Sequence, residues 1–501
     1  MELELKMQDV ACCERTQCMV FSHEEALETA IPEYCPDVNR IVDAVGQLKI
    51  REKKLSGGRL TITGMVKVIV LYTSEESAGL RSLVLPVPFT CATEDMRLQD
   101  CRSICVCGRL LLAEGRIVTA RKLYVRTMIE FEVEGIRDAG YHICCGVPED
   151  EGLQARQETV QLCALSDVLE RTFPIHHEFL PTSGCGVPED LLLERTSVCA
   201  TGCQRMGHKL IVKGEVCVSV LYRNREQAPE CCDVQLPFSQ ILDASHLPET
   251  GEYQADAWAE ESDVRLVHAE GGVGFGLTAR LGVLVRVYEK RELRYISDLY
   301  STRGEMLLQE KCEMICADQP AQSWRREMTE QLEFGRENPF ACVSGVECGA
   351  VSITNEGERT VLRTNLRVKI LHLDESGAPA STERMMEATV QLPFMPDSAR
   401  AQCAPIEMNM GRSSCEMRIP VDFFTRQSQT MRVETITAAA HAETERKEMP
   451  SLVLRRIEKQ DTLWDIAKTY RADPDAICRV NGLESGMPLP QGMLLIPKAG
   501  K

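Results

Sequence analysis

At 501 residues, 44% of them apolar, the chain is long enough for about three to four domains and too apolar to be disordered. Its formal charge of -18, from 75 Asp and Glu against 57 Lys and Arg, excludes a nucleic-acid backbone as the main ligand, because such affinity rests on clustered cations. The acidity belongs to the body, since residues 452–501 hold eight Lys or Arg and six Asp or Glu.

The start, MELELKMQDVACCERTQC, is acidic where a signal peptide needs a basic start and an apolar stretch. The longest apolar run, near Val66 to Tyr72, is interrupted by Lys67 and is too short to cross a bilayer. The expectation is a chain with no transmembrane segment that stays in the cytosol in which it is made. In that reducing compartment the 24 cysteines are free thiols acting as small apolar residues. Cys101, Cys105 and Cys107, Cys199 and Cys203, and Cys312 and Cys316 lack the paired C-x2-C spacing of a zinc site, so neither metal nor cofactor is expected. Adjacent Cys12-Cys13, Cys144-Cys145 and Cys231-Cys232 are the places to look for later oxidative crosslinks.

The body then repeats itself. Arg59-Leu-Thr-Ile-Thr-Gly-Met-Val-Lys-Val-Ile-Val-Leu-Tyr72 returns at Lys209 to Tyr222 and more faintly at Val361 to His372, and Tyr72, Tyr222 and His372 are spaced by 150 positions. A period this long means tandem domains and not a short-repeat solenoid. The units read as residues 1–140, 150–295 and 305–436. In each, the first long strand is followed by a polar loop and a strand ending in Pro-Phe: Pro88-Phe89, Pro237-Phe238 and Pro393-Phe394. Proline ends or edges a strand, and phenylalanine plugs the core. Alternating strands follow at Tyr124–Val133, Leu277–Tyr288 and Cys415–Phe424, each with one buried face. Ser56-Gly57-Gly58, Glu114-Gly115 and Gly271-Gly272 supply turns. In unit one, Pro36 and Asp37 are expected to open a short helix carrying Val38, Ile41 and Val42, with a fainter counterpart at Val187 to Leu192. The fold class is therefore mainly β: three tandem antiparallel, sandwich-like repeat domains.

Residues 437–451 are small and charged without apolar periodicity and read as a linker. Beyond it, Val453 to Ile457 form a short apolar run. Leu463, Trp464, Ile466, Ala467 and Tyr470 recur on one helical face. Thr462 and Asp465 form a capping box, Pro474 opens a second helix after Asp473, Asn481-Gly482 closes it, and Leu494 to Ile496 supply a last strand. The segment 452–498 is a small α+β module of order βααβ, with Trp464, Ile466, Ala467 and Tyr470 in its core. It resembles a LysM module along its whole length. That resemblance implies a groove for N-acetylglucosamine-containing glycans, between Asp461, Thr462 and Leu463 on one side and Gly482 and Leu483 on the other. The family usually carries Gly before the Asp-Thr-Leu, and here it is Gln460; a Cβ there narrows the groove, or strains the turn if φ is positive, which favours a protein ligand.

The run Ile31 to Val42, Gly64, the Leu71-Tyr72 strand end and Arg121 resemble the repeat domain that accompanies a C-terminal LysM in clostridial spore-envelope proteins. Three such repeats followed by LysM is similar to the architecture of SipL-type spore coat morphogenetic proteins, strongly in unit one and the LysM, moderately in unit two and weakly in unit three. The resemblance implies an adaptor working from the mother-cell cytosol at the forespore surface, whose LysM docks the spore coat morphogenetic ATPase. The alternative is a peptidoglycan-binding protein of the cortex or wall. Catalysis is not expected: no G-x-x-x-x-G-K-[ST], H-E-x-x-H or G-x-S-x-G occurs. His176 and His177, adjacent on a strand, point to opposite faces.

Overall fold

The computed structural model describes the chain except residues 1, 17–18, 76–78, 151, 183, 270, 335–336, 338–339, 443–450, 485–488, 490–491 and 498–501. The described body is built of antiparallel strands, and each unit stacks two sheets. In unit one, Arg40–Ser56, Arg59–Thr73 and Arg81–Glu94 form a meander. It covers a second sheet of Met19–Ala30, the first half of Lys122–Gly146, and Ser103–Thr119. Between them lies an apolar core that includes Leu60, Ile62, Val66, Val68, Phe89 and Phe131. Unit two repeats this with Pro188–Met206, Lys209–Asn224 and Pro229–Asp243 over Glu252–Ala269, the first half of Gly272–Ser301 and the second half of Leu153–Phe179. Unit three does so with Ala341–Cys348, Arg359–Leu373 and Pro379–Leu392 over Gln322–Glu333 and Ser414–Arg426. In unit two the Gly271-Gly272 hairpin joins two paired strands, with φ of 110° and 138°.

The repeat has a steric signature at its centre. Gly64 lies opposite Phe89 and Gly214 opposite Phe238, each phenylalanine lying across the glycine of the neighbouring strand. A Cβ at Gly64 would press on the Lys49 carbonyl and sit 2.6 Å from the Phe89 ring, and Gly214 has the same neighbours in Cys199 and Phe238. In unit three the equivalent pair is Thr364 and Ala388, and Phe394 lies beyond the strand's end. Two expectations are thereby corrected. The Pro-Phe of unit three is out of register with the other two, and in units one and two the strands run on past Pro-Phe to Glu94 and Asp243. Proline is tolerated because each lies on an outer strand of its meander. Gly64→Ala is expected to destabilise unit one by about 1 to 3 kcal/mol through overpacking, read as a lower urea midpoint.

The helix expected after Pro36 is not formed, because Asp37 is engaged elsewhere. Arg121 donates to the carbonyls of Ile31, Pro32 and Cys35 at 2.6–3.1 Å and to the Asp37 carboxylate at 3.1 Å. That clamp holds residues 31–39 as an irregular loop, and Arg40–Ser56 follows as a strand. Its counterpart after Val187 is likewise a strand, Pro188–Met206.

The units are not beads on a string. Strands Lys122–Gly146, Leu153–Phe179 and Gly272–Ser301, of 25, 27 and 30 residues, pass unbroken out of their sandwiches. Lys6–Arg15 pairs with the far end of the first, the outer halves of the second and third pair with each other, and Met306–Asp318 pairs with Ser428–His441. Three two-stranded ladders, one per unit, thus meet in a central hub around Val10, Tyr141, Leu162, Leu293, Ile315 and Val433. The strands run beyond residues 140, 295 and 436, where the units were expected to end. The linker expected from 437 is strand as far as His441, because that strand is the partner of Met306–Asp318; residues 443–450 lie outside the described residues.

Where hub and sandwiches meet, buried charges from all three units interlock. Arg15 reaches Glu134 at 2.8 Å and Asp318 at 2.6 Å; Arg426 reaches Glu134 at 2.6 Å; Asp256 is paired with Arg286 and Arg400. Burial alone would push the Glu134 carboxyl up, but Arg426, Arg15 and Arg286 more than reverse this and hold it below the usual range. For Asp256 the opposition to burial comes from Arg400, Arg286 and Arg426, again with a lowered result.

Candidate functional site

The C-terminal module is assembled from Leu452–Arg456 paired with Met493–Pro497, enclosing helices α1 (Leu463–Tyr470) and α2 (Pro474–Asn481). Local chemistry sets each boundary. Thr462 Oγ1 accepts the Asp465 N–H at 3.1 Å and donates to the Asp465 carboxylate at 2.6 Å, which fixes the first turn of α1. Asp473 caps α2, with Pro474 at its first position, and Gly482 ends it at φ 64°. The core is Ile466, Ala467, Ala472, Ile477, Leu494 and Ile496. Trp464 and Tyr470, expected inside it, are half-buried at its margin, with Tyr470 beneath the Arg455 guanidinium at 5.7 Å.

The two loops singled out in sequence sit at the ends of these helices. The Asp461 carboxylate takes Arg455 at 2.8 Å and the Glu458 N–H at 2.9 Å, so it shapes the turn before α1. Thr462 is exposed and Leu463 half-buried. Gln460 is exposed in that turn, and Gln227 and Arg471 are the non-glycine residues with positive φ among the described residues, so its side chain brings no backbone strain. Gly482 is exposed, and Leu483 packs half-buried on the core with its N–H on the Cys478 carbonyl at 2.9 Å. Asn481 positions this second loop, and sequence reasoning used it only as a helix end. Its amide donates to the carbonyls of Ile477 and Leu495 at 2.7 and 2.6 Å and accepts the Leu495 N–H at 2.8 Å, tying α2 to the last strand.

A second face of the module is occupied by the body, which the sequence did not reveal. Asp298, on the hub strand of unit two, accepts the Trp464 indole N–H at 2.7 Å and the Lys468 ammonium at 2.6 Å. Tyr300 meets the Trp464 ring edge-on at 5.0 Å between centroids and donates its hydroxyl to the Ala472 carbonyl at 2.7 Å. Arg471 approaches Glu305 at 3.6 Å. Trp464, Lys468 and Arg471 recur at helical spacing, so one face of α1 forms a clasp while Thr462 and Gly482 stay exposed. The faint signal was Trp464 itself, whose N–H needs a partner when half-buried.

The SipL, SPOCS domain family model matches residues 189–267, which span the meander of unit two and most of the hairpin strand after it; the LysM domain model matches residues 456–497. The chain carries a SipL SPOCS domain and a C-terminal LysM domain, which matches a SipL-type protein with a LysM. The SPOCS match falls in unit two, where the sequence resemblance was read as moderate. No curated protein matches the chain. The two domains fit a sporulation protein, and both are non-catalytic domain families. Among the described residues no helix is long and apolar enough to cross a membrane, and no three His, Cys, Asp or Glu side chains are grouped to hold a metal ion.

Proposed function

We propose that this SipL-type chain is a non-enzymatic adaptor of spore coat assembly, recruited from the mother-cell cytosol to the forespore surface, and that its LysM loops dock the coat morphogenetic ATPase. The observation that supports this reading is the division of labour on the module. One face of α1 is clasped by Asp298 and Tyr300, and the loops around Thr462 and Gly482 remain exposed. A small module fixed to a body of three interlocked units presents its loops in one orientation, which is what an adaptor requires and a freely tethered glycan anchor does not. Peptidoglycan binding through the same loops is the second reading, favoured by the LysM family and by the unstrained turn at Gln460.

Affinity capture from sporulating-cell lysate with the full chain, beside a chain ending at Glu448, tests the assignment. The full chain is expected to retrieve the ATPase and the shortened one to lose it. Thr462→Ser, which keeps the capping oxygen, combined with Leu483→Ser is expected to reduce capture at least about tenfold, on the order of 1.4 kcal/mol, with the module's circular dichroism retained. Unchanged capture by that folded variant removes these loops as the binding site. Cosedimentation of the full chain with purified peptidoglycan, lost in the same variant, supports the glycan reading instead.

A further inference from the structure

The three meanders meet side by side in a closed ring. The outer strand of each unit lies against the first strand of the next: Arg81–Glu94 on Pro188–Met206, Pro229–Asp243 on Ala341–Cys348, and Pro379–Leu392 on Arg40–Ser56. Leu71, Leu221 and Leu371, spaced by 150 positions, are buried together at the centre. Their partners on the outer strands are Ser82, Cys231 and Ser381, and those on the first strands are Asp43, Leu193 and Cys342.

Equivalent positions can therefore be compared seam by seam. Between units one and two, Ser82 donates to the Leu191 carbonyl at 3.3 Å and Lys67 pairs with the buried Glu194. Between units three and one, Ser381 donates to Asp43 at 3.2 Å, and Lys369 lies 3.5 Å from the same carboxylate and donates to the Ala44 carbonyl at 2.9 Å. Between units two and three the corresponding atoms are both sulfur: the Cys231 thiol is hydrogen-bonded to that of Cys342, within the same apolar cluster. The cation at this seam, Arg195, faces Cys231, Cys342, Cys403 and Asp233, and its Nη1 is sealed from solvent without a hydrogen-bond partner. Two seams are thus joined by buried ion pairs, and the third holds two free thiols in contact beside an incompletely partnered guanidinium.

We propose that Cys231 and Cys342 are an oxidation site that closes the third seam covalently, forming a disulfide between units two and three when the protein meets a peroxide. One thiol, as thiolate, attacks the peroxide oxygen to give a sulfenic acid and release water. The second thiol displaces hydroxide from that sulfur, the S–S bond forms and a second water leaves. Two thiols are oxidised and one hydrogen peroxide is reduced to two waters. Arg195 supplies positive charge next to the attacking sulfur. The hydrogen bond that the Cys231 S–H donates to Cys342, together with burial, pushes the Cys231 thiol well above its ordinary range, so Cys231 is protonated near neutrality and its oxidation accelerates as pH rises. The neighbour Cys232 is not a competitor by geometry, because it points into the core of unit two. Of the adjacent pair Cys231-Cys232 only the first faces this seam, because successive strand side chains face opposite ways; Cys12 and Cys13 likewise belong to different clusters.

The full chain is treated with hydrogen peroxide at pH 7 and pH 9, alkylated and mapped by mass spectrometry without reduction. The expected result is a linked peptide joining Cys231 to Cys342, formed faster at pH 9, with a raised thermal midpoint that dithiothreitol reverses. Both thiols recovered alkylated, or each oxidised separately, overturns the proposal, as does Cys231 linked to Cys403. Cys231→Ser and Cys342→Ser, the first recreating the residue found at the other two seams, are expected to unfold as the reduced protein does and to lose the peroxide-induced rise; a rise that persists in both places the lock elsewhere.

Discussion

Glu134→Ala is expected to cost about 3 to 5 kcal/mol and to loosen all three units together, because it leaves Arg15 and Arg426 buried without their shared carboxylate. The loss follows from desolvation more than from the attraction removed. Both guanidiniums lie deep between hub and sandwiches, with side-chain exposures of 9% and 14%, and no water replaces Glu134 cheaply there. Chemical denaturation reads the effect as a lower midpoint, and a change confined to unit one would contradict the interlocked reading. Glu134→Gln separates charge from shape and extends the test to pH. Glu134 and Asp256 have folded values below their unfolded ones, so their stabilisation is complete above about pH 5 and is lost as pH falls through and below about 4. Asp318, pushed up by burial against the pull of Arg15, contributes with the opposite sign. With two carboxylates against one, stability falls on acidification, and Glu134→Gln flattens that limb.

Much of this architecture was readable because it rests on local chemistry repeated at a long period. The run ending in Tyr72 and its two copies are each a long strand of a meander, as their pattern implied, since a strand of alternating apolar residues needs only its own sequence to declare a buried face. The module's boundaries were readable for the same reason: Thr462, Pro474 and Gly482 each satisfy the backbone within one turn. The hub was not readable. Its ladders join residues as distant as Lys6 and Gly146, and the strands that build it continue from the sandwiches with the same alternation, so nothing local marks the passage. Pro36-Asp37 misled because a proline beside an aspartate is the usual opening of a helix, while Arg121, 84 residues away, claims that carboxylate. The clasp failed to declare itself for a related reason. Asp298 and Tyr300 belong to an alternating strand and are indistinguishable there from any solvated aspartate or core tyrosine.

Tyr300→Ala is expected to release the LysM module from the body without unfolding it, which separates the clasp from the grip. Tyr300 is 4% exposed and fills the space between the hub and the edge of Trp464, so truncation is expected to cost about 3 to 5 kcal/mol at that contact. Tyr300 closes the apolar cluster from the side of the body, and Ile466, Ala467, Ile477, Leu494 and Ile496, all from the module, still pack on one another without it. Trp464→Ala acts on both sides at once, since the indole borders that centre and also donates to Asp298. Hydrogen exchange across α1 distinguishes them: Tyr300→Ala leaves Ile466 and Ala467 protected while small-angle scattering reports a larger radius, and Trp464→Ala loses the protection as well. If Tyr300→Ala retains partner capture, the loops at Thr462 and Gly482 suffice for binding and the clasp sets only their orientation. If capture disappears while α1 remains protected, the partner must be reading a surface that includes the hub, and the grip belongs to the module and the body jointly.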